Sequence, residues 1–169
     1  MCDNYNCKFM NRQKNHVIVS DNIRSAQNIG SIFRTCDALG YQKIYLCGIS
    51  ATPPNKEIAK TALGATETVN WEYFEDVITL VNGLKDKGYV ICSIEQTSSS
   101  VMLQDFEPNS ESNYAFVLGN EVEGVSPEII ALSDICLEIP QFGAKKSFNV
   151  SVAAGIVLWD VVSKSMQKL

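Results

Sequence analysis

The sequence predicts an α/β fold in which helices cover both faces of a parallel sheet. Short runs of apolar, β-branched residues alternate along the chain with segments of helical pattern. The strand segments are almost continuously apolar, which is typical of strands buried on both faces. Such an alternation favours parallel strands joined by helices. The 169 residues suit one domain, which we place at 16–169 after a flexible leader at 1–15.

In the first half of the chain, polar residues and glycines mark the boundaries between elements. The apolar run at 16–20 predicts the first strand. A helix is expected from about Ser25 to Leu39, where Gly40 can end it. The same signals predict a strand at 43–47, a helix at 55–62, a short strand at 68–71, a helix at 75–87 and a strand at 89–94.

The second half continues the alternation and ends in an apolar helix. It predicts a polar loop at 95–100, a strand at 114–118, a glycine-bounded loop at 119–125, a helix at 127–132 and a last strand at 135–139. After Pro140 and Gly143 the chain is expected to form a helix over 149–162, with Ser147 placed to cap it. Nearly every position of this helix is apolar or small, so we expect it to be buried on all sides.

Composition excludes several classes of protein. The chain has no apolar run long enough to span a membrane and no apolar signal core at its start, so we expect a cytoplasmic protein without a membrane partner. The net charge of −5 argues against a general nucleic-acid coat but leaves room for a local basic patch. The cysteines lack the paired spacing of a zinc site. Four of them fall in apolar segments and are interpreted as buried free thiols: Cys36, Cys47, Cys92 and Cys136.

Three loops with polar residues follow predicted strands, after 89–94, 114–118 and 135–139. Parallel α/β sheets bind ligands beyond the carboxyl ends of their strands. The closely spaced glycines of a dinucleotide site are absent, and so is a phosphate-binding P-loop. We therefore expect a cofactor site that is not of the ordinary dinucleotide-binding type.

The first helix holds the first group of candidate residues, Asn28, Gly30 and Arg34. A glycine inside a helix costs about 1 kcal/mol relative to alanine, so Gly30 suggests a purpose. One turn before Arg34, it could leave room for a phosphate or a ribose to reach the guanidinium. Asn28 lies about 120° around an ideal helix from Arg34. The plainer alternative is a surface arginine and a structural asparagine.

The loop after the strand at 114–118 holds a second group, Glu121 and Glu123 between two glycines. These carboxylates could serve the dipole of the following helix. One of them could instead orient Arg34 through a bidentate pair. A metal site is a third reading, but no further ligand is evident and none is predicted.

Three stretches together resemble a known family: NIGSIFR at 28–34, VLGNEVEGVS at 117–126 and IPQFGAKKSFNVSVAAGIVLWD at 139–160. In order and spacing they are similar to the motifs of the SpoU-type, TrmH-like RNA ribose 2′-O-methyltransferases of the SPOUT class. The resemblance runs from about residue 16 to the end. It implies an α/β sheet with a C-terminal trefoil knot, S-adenosylmethionine as cofactor, a homodimer and an RNA substrate, either tRNA or rRNA.

The resemblance also implies roles for particular residues. It makes Arg34 the catalytic residue, supported by Asn28 and Glu121. Phe148 departs from the leucine usual in the family. The cofactor pocket would be lined by Glu95, Gln96, Leu118, Gly119, Asn120, Ile139, Gln141, Ser147, Phe148 and Asn149.

The implied reaction is methyl transfer to a ribose 2′-hydroxyl, which is a poor nucleophile until its proton is taken. Arginine is nearly always protonated, so Arg34 could hold a phosphate and stabilise the developing alkoxide. Whether Arg34 or a phosphate oxygen takes the proton stays open. Lys145 and Lys146 are candidates for phosphate contacts. The alternatives are a SPOUT-fold RNA-binding protein without catalytic activity and a methyltransferase acting on a base or a protein.

Overall fold

The computed structural model describes residues 15–41 and 43–167, so the predicted leader at 1–15 lies outside it except for residue 15. These residues form a seven-stranded sheet in which every pairing is parallel. The strands are β1 (Val17–Asp21), β2 (Lys43–Cys47), β3 (Asn70–Phe74), β4 (Tyr89–Ile94), β5 (Val101–Met102), β6 (Asn113–Leu118) and β7 (Ile135–Glu138). Their order across the sheet is β3-β2-β1-β6-β4-β7-β5.

The helices lie between the strands, as the alternating pattern predicts. They are α1 (Ala26–Leu39), α2 (Lys56–Ala62), α3 (Ala65–Thr68), α4 (Val77–Asp86), α5 (Pro127–Leu132) and α6 (Val150–Gln167), with a 3-10 turn at Leu103–Asp105. No helix among the described residues is both long and apolar enough to cross a membrane.

Two apolar cores lie on opposite faces of the sheet. Successive side chains of a strand point to opposite faces. Accordingly, Ile18 of β1 packs with α1 and α6, whereas Val17 and Val19 pack with α4 and α5. The predicted parallel sheet with helices on both faces is therefore confirmed.

Several boundaries differ from the predictions. The strand expected at 68–71 is found at 70–74, because residues 65–68 form α3. Neither α3 nor β5 was predicted. The last helix begins at Val150 and runs on to Gln167, five residues beyond the predicted end at 162.

The prediction that Ser147 caps the last helix is wrong. Asn149 is the capping residue, because its Oδ1 accepts hydrogen bonds from the backbone N–H of Ser151 at 2.9 Å and from its hydroxyl at 2.7 Å. The expectation that this helix is buried on all sides is also wrong for the single chain. Val152 and Trp159 are 50% and 54% exposed.

Candidate active site

A cavity of about 520 Å³ lies at the carboxyl ends of β4, β6 and β7. The loops that follow these strands form its walls, together with the first turn of α6. Because carboxyl ends of parallel strands meet at one edge of a sheet, the three polar loops of the sequence come together here. All ten predicted cofactor residues line this cavity: Glu95, Gln96, Leu118, Gly119, Asn120, Ile139, Gln141, Ser147, Phe148 and Asn149.

Glu121, on the wall of this cavity, holds the first turn of α1. Its carboxylate accepts hydrogen bonds from the backbone N–H groups of Arg24 at 3.1 Å and Ser25 at 3.0 Å, and from Nδ2 of Asn28 at 3.0 Å. A helix start has unpaired N–H groups and a positive dipole end, both of which favour a carboxylate. Burial alone would raise the pKa of Glu121, but these hydrogen bonds and one from its own N–H outweigh it, so the pKa is lowered.

Asn28 joins two of the predicted motifs to α1. Its amide nitrogen donates to Glu121, and its Oδ1 accepts from Nδ2 of Asn149 at 3.1 Å. Asn149 in turn begins α6, as described above. One asparagine therefore ties together the start of α1, the loop after β6 and the start of α6, which are the three stretches that carry the family resemblance.

The loop after β6 is closed tightly on itself. Asn120 and Gly124 exchange two backbone hydrogen bonds of 2.9 Å, and the side chain of Asn120 donates to the carbonyl of Asn22 at 2.8 Å. A Cβ atom at Gly119 would lie 2.1 Å from the backbone of Gly124 and Val125, so only glycine fits there. Asn120 thus lines the cavity while its polar atoms hold the loop.

Glu95 and Glu138 are acidic residues at the ends of β4 and β7. Oε2 of Glu95 accepts from the backbone N–H of Val125 at 2.9 Å, which fastens the loop after β6 to β4. Glu138 accepts from Gln96 at 2.7 Å and from the hydroxyl of Ser100. Glu138 is not among the residues predicted from the sequence, although an acidic residue that ends an apolar strand is the signal that could have found it.

Arg34 does not reach this cavity within the chain. It is exposed on α1 and lines a separate cavity of about 460 Å³, with Lys60 and Thr61 of α2 on the other side. It makes no ion pair with Glu121, so the predicted Arg34–Glu121 pair is wrong within one chain. The reason is geometric: Glu121 is occupied at the start of α1, and Arg34 lies six residues, or about 9 Å of helix rise, beyond Asn28.

Gly30 has a different purpose from the one predicted. A Cβ atom there would lie 2.1 Å from the hydroxyl oxygen of Thr61 and 2.4 Å from the carbonyl of Ile58. The glycine therefore lets α1 and α2 pack closely, and it does not open space for a phosphate or a ribose.

Cys36, Cys47, Cys92 and Cys136 are free thiols. Cys36, Cys47 and Cys92 are free and buried, and burial, followed by nearby Asp21 and Asp76, raises the pKa of Cys47 to about 12. Cys136 is only partly buried, which corrects the prediction for that residue. In the described part of the chain, no group of His, Cys, Asp and Glu side chains has the arrangement of a metal site.

The SpoU rRNA methylase family profile matches residues 15–159 of the chain. The tRNA (guanosine(18)-2′-O)-methyltransferase of Aquifex aeolicus is 32% identical over 161 residues, covering 93% of this chain and 73% of the relative. The 23S rRNA (guanosine-2′-O-)-methyltransferase RlmB of Neisseria meningitidis is 29% identical over 165 residues, covering 89% of this chain and 65% of the relative. The chain thus spans about two thirds to three quarters of their lengths.

Solved structures show the same fold. The TrmH/SpoU tRNA modifying enzyme of A. aeolicus superposes with a TM-score of 0.84 at 29% identity, covering 95% of this chain and 80% of that one. The SpoU methyltransferase AviRb of Streptomyces viridochromogenes, solved with AdoMet, gives a TM-score of 0.82 at 20% identity, covering 95% of this chain and 65% of that one.

Proposed function

This chain belongs to the SpoU rRNA methylase family, and from that premise we propose that it transfers a methyl group from S-adenosylmethionine to a ribose 2′-hydroxyl of tRNA or rRNA. The observation that carries the proposal is that the three stretches with the family resemblance meet at one edge of the cavity. Hydrogen bonds of Asn28 to Glu121 and Asn149 join them there. The chemistry is that of an RNA methyltransferase, and the particular RNA and nucleotide are left to experiment.

The cavity suits S-adenosylmethionine in size and lining. A volume of about 520 Å³ is within the usual range for a small-molecule site. Ile139 and Phe148 offer apolar surface for an adenine ring. Acidic side chains at the carboxyl edge, among them Glu95 and Glu138, suit the cationic sulfonium and ammonium groups of the cofactor.

Two uncharged polar side chains of the cavity have no partner in the described part of the chain. Ser147 and Gln141 line the cavity and make no hydrogen bond there. Their hydroxyl and amide groups are therefore available to the ribose or the amino-acid end of the cofactor. The cofactor would supply a methyl group made transferable by the positive sulfur.

We expect the active protein to be a homodimer held together by α6. Val152, Trp159 and Met166 follow one another at seven-residue spacing and are 50%, 54% and 37% exposed. Residues seven apart lie on one side of a helix, so the three form an apolar stripe. Gly155 lies between the first two, and a Cβ atom there would meet nothing within 4 Å. The stripe thus leaves room for a second helix to approach closely.

A second copy would also complete the catalytic site. Arg34 is the proposed catalytic residue, yet it lies outside the cavity of its own chain. In a symmetric dimer an Arg34 could face the cofactor cavity of the other copy. There it would hold an RNA phosphate and stabilise negative charge developing on the 2′-oxygen.

The C-terminal knot and the cytoplasmic location belong to the same proposal. In the sheet, β7 lies between β4 and β5, although it follows both in the sequence. A late strand inserted between earlier ones is consistent with a threaded chain. The buried free thiols suit a reducing cytoplasm.

The test combines cofactor binding with methyl transfer. Calorimetry should show that the wild type and Arg34→Ala bind S-adenosylmethionine with equal affinity. Transfer of tritiated methyl groups to unmodified tRNA or rRNA should fall about a hundredfold to a thousandfold in Arg34→Ala, because a donor to developing charge is lost. Lys87→Ala removes another exposed cation, at the C-terminal end of α4, and should leave transfer unchanged.

The same experiment separates the alternative function from the proposed one. A wild type that binds RNA but neither binds the cofactor nor transfers methyl groups would be an RNA-binding protein of this fold without activity. Transfer by Arg34→Ala at the wild-type rate would show that the catalytic role has been given to the wrong residue.

A further inference from the structure

The cavity beside Arg34 is bordered by a second cation. Lys60 reaches it from α2, and Ser31, Thr35 and Thr61 add hydroxyl groups to its walls. Ala38 completes the lining, so two of the six residues are positively charged and none is acidic. On a chain with a net charge of −5, the walls of this cavity carry only positive charge, although Glu57 pairs with Lys60 beside them.

The two cations are carried on helices whose separation is fixed. The hydroxyl of Thr61 donates to the carbonyl of Gln27 on α1 at 3.0 Å. Gly30 removes the Cβ atom that would push α1 and α2 apart. Arg34 lies one turn beyond Gly30 and Lys60 directly precedes Thr61, so both cations start from the helix crossing. Their spacing is therefore set by the fold and not by flexible loops.

Lys60 is held at this crossing by a neighbouring acid. Its Nζ lies 2.6 Å from Oε1 of Glu57, and Glu57 also accepts from the side chain of Gln27 on α1 at 3.2 Å. The hydrogen bonds from Lys60 and Gln27 lower the pKa of Glu57. The side chains of Lys60 and Glu57 are 67% and 44% exposed, so the pair is weak and a stronger anion can compete with Glu57 for the lysine.

We propose that the cavity between α1 and α2 is a phosphodiester-binding site for the RNA substrate, in which Lys60 is the second cation beside Arg34. The proposal rests on the proposed function, which places RNA at Arg34. A phosphodiester presents charged oxygens that accept from both a guanidinium and an ammonium group. Lysine contacts the RNA backbone as a point charge, so Lys60 would position the RNA without reading its sequence.

The salt dependence of RNA binding measures the contribution of Lys60 directly. The logarithm of the RNA association constant falls linearly with the logarithm of the salt concentration, and each phosphate contact makes this slope steeper by roughly 0.7 to 0.9. Lys60→Gln should lower the slope for unmodified total tRNA and rRNA by that amount and weaken binding about fivefold at 0.15 M salt. Lys60→Arg should restore both. Lys56→Gln on the same helix is the matched control, because Lys56 is exposed, carries the same charge and does not line the cavity.

Removing the competing acid should act in the opposite direction. Glu57→Gln frees Lys60 and should tighten RNA binding, whereas Glu75→Gln, an equal charge change at an exposed residue before α4, should do so less. In methyl transfer, Lys60→Gln should raise the RNA concentration for half-maximal rate while leaving the rate at saturation and the affinity for S-adenosylmethionine unchanged.

Equal salt slopes for Lys60→Gln and Lys56→Gln would overturn the phosphate site. This comparison needs only RNA binding, so it decides the site whether or not a methyl group is transferred. A wild type that transfers no methyl group to either RNA would instead contradict the proposed function. A loss of maximal rate in Lys60→Gln with unchanged half-saturation would also overturn the proposal, because it would place Lys60 in the chemical step.

Discussion

Glu121 has the contacts of a helix cap supplied from a distant loop. Its carboxylate accepts from two backbone N–H groups at the start of α1, 96 and 97 residues away in the sequence. Ser25, the local cap, accepts from the backbone N–H of Asn28 at a longer 3.3 Å. We therefore propose that Glu121 supports Arg34, as the resemblance implies, through the helix that carries Arg34.

Removing Glu121 should destabilise the protein, whereas removing Arg34 should not. We expect Glu121→Ala to lower the free energy of unfolding by about 0.5–2 kcal/mol, the usual cost of losing a helix cap. Glu123→Ala is the control, since Glu123 is also exposed and its side chain accepts no hydrogen bond from a helix start. Urea unfolding measures the stability of all the variants.

The effects of Glu121→Ala and Arg34→Ala on stability should add to within about 0.5 kcal/mol. Clear non-additivity would mean that the two side chains do pair.

His16 is a partly buried titratable group away from the cavity. Its Nδ1 accepts from the backbone N–H of Tyr114 at 3.2 Å, and the rings of Tyr41, Tyr114 and Phe116 surround it. Burial lowers its pKa from 6.5 to about 4. The neutral ring is therefore the form that the fold accommodates.

Acid should destabilise the protein partly through His16. In the unfolded chain the imidazole takes up a proton near pH 6.5, whereas in the folded chain it does so only near pH 4. The stability contributed by the neutral ring is therefore complete above pH 6.5 and is lost as the pH falls towards 4. At about 1.4 kcal/mol per pKa unit, the loss is on the order of 3 kcal/mol at most. Urea unfolding at pH 7.5 and 4.5 should show a smaller pH effect in His16→Gln, and equal effects would contradict the assignment.

At the scale of elements, the crossing of α1 and α2 depends on Gly30. The neighbouring atoms are the hydroxyl of Thr61 and the backbone carbonyl of Ile58, and the carbonyl cannot move without disturbing α2. Gly83 in α4 is a useful contrast, because a Cβ atom there would meet nothing within 4 Å. Both glycines lie in helix interiors, but only at Gly30 does the packing of a neighbouring helix exclude a side chain.

Alanine should therefore have opposite effects at the two positions. Gly83→Ala should stabilise the protein by about 0.5–1 kcal/mol, the difference in helix propensity. Gly30→Ala should lower stability by about 1–3 kcal/mol, since the clash outweighs the same propensity gain. Thermal and urea unfolding of both variants provide the measurement. A stabilised Gly30→Ala would show that α2 can shift at little cost.

The elements that the sequence predicted best are those with strong local boundaries. Gly88 precedes β4 and Pro127 begins α5, and both elements have the predicted ends. The two-residue β5 and the four-residue α3 are too short to show a periodicity.

The candidate site was predictable to a similar degree. The ten residues that the resemblance implies for the cofactor do line one cavity, since strand ends converge in any parallel sheet, and their contact with a cofactor stays a prediction. The contacts of Glu121 and Gly30 could not be predicted in this way. The spacing of residues along one helix does not reveal which distant groups pack against that helix.

At the scale of the whole molecule, a second copy of the chain, as proposed above, would explain both the apolar stripe on α6 and the position of Arg34. The stripe of Val152, Trp159 and Met166 has no partner within the described chain. The cavity in which we propose that the cofactor binds is not lined by Arg34, the proposed catalytic residue of α1. A dimer through α6 accounts for both observations.

Mixing two inactive variants should therefore restore activity. Ser147→Arg should fill the cavity and block the cofactor, because Ser147 is exposed and lines it, while Arg34→Ala leaves the cavity intact. In a mixed dimer one of the two sites combines an intact cavity with an intact Arg34. An equal mixture that exchanges subunits freely should then reach about a quarter of wild-type methyl transfer.

The control variant is Trp159→Asp, which places a charge in the apolar stripe. It should yield monomers in sedimentation at micromolar concentration and should abolish the rescue when introduced into both partners. No recovery of activity from mixtures in which mixed dimers are present would mean that each site is built from one chain.

The bond between Asn28 and Asn149 joins residues 121 positions apart, and this separation matters while the protein is being made. A ribosome adds roughly 5–20 residues per second, so α1 waits roughly 6–24 seconds for its partner on α6 to be synthesised. Throughout that interval the nascent chain has no closed cavity, because the segment 139–149 that forms one wall does not yet exist. A chain interrupted before residue 149 would therefore lack one wall of the cavity in which we propose that the cofactor binds.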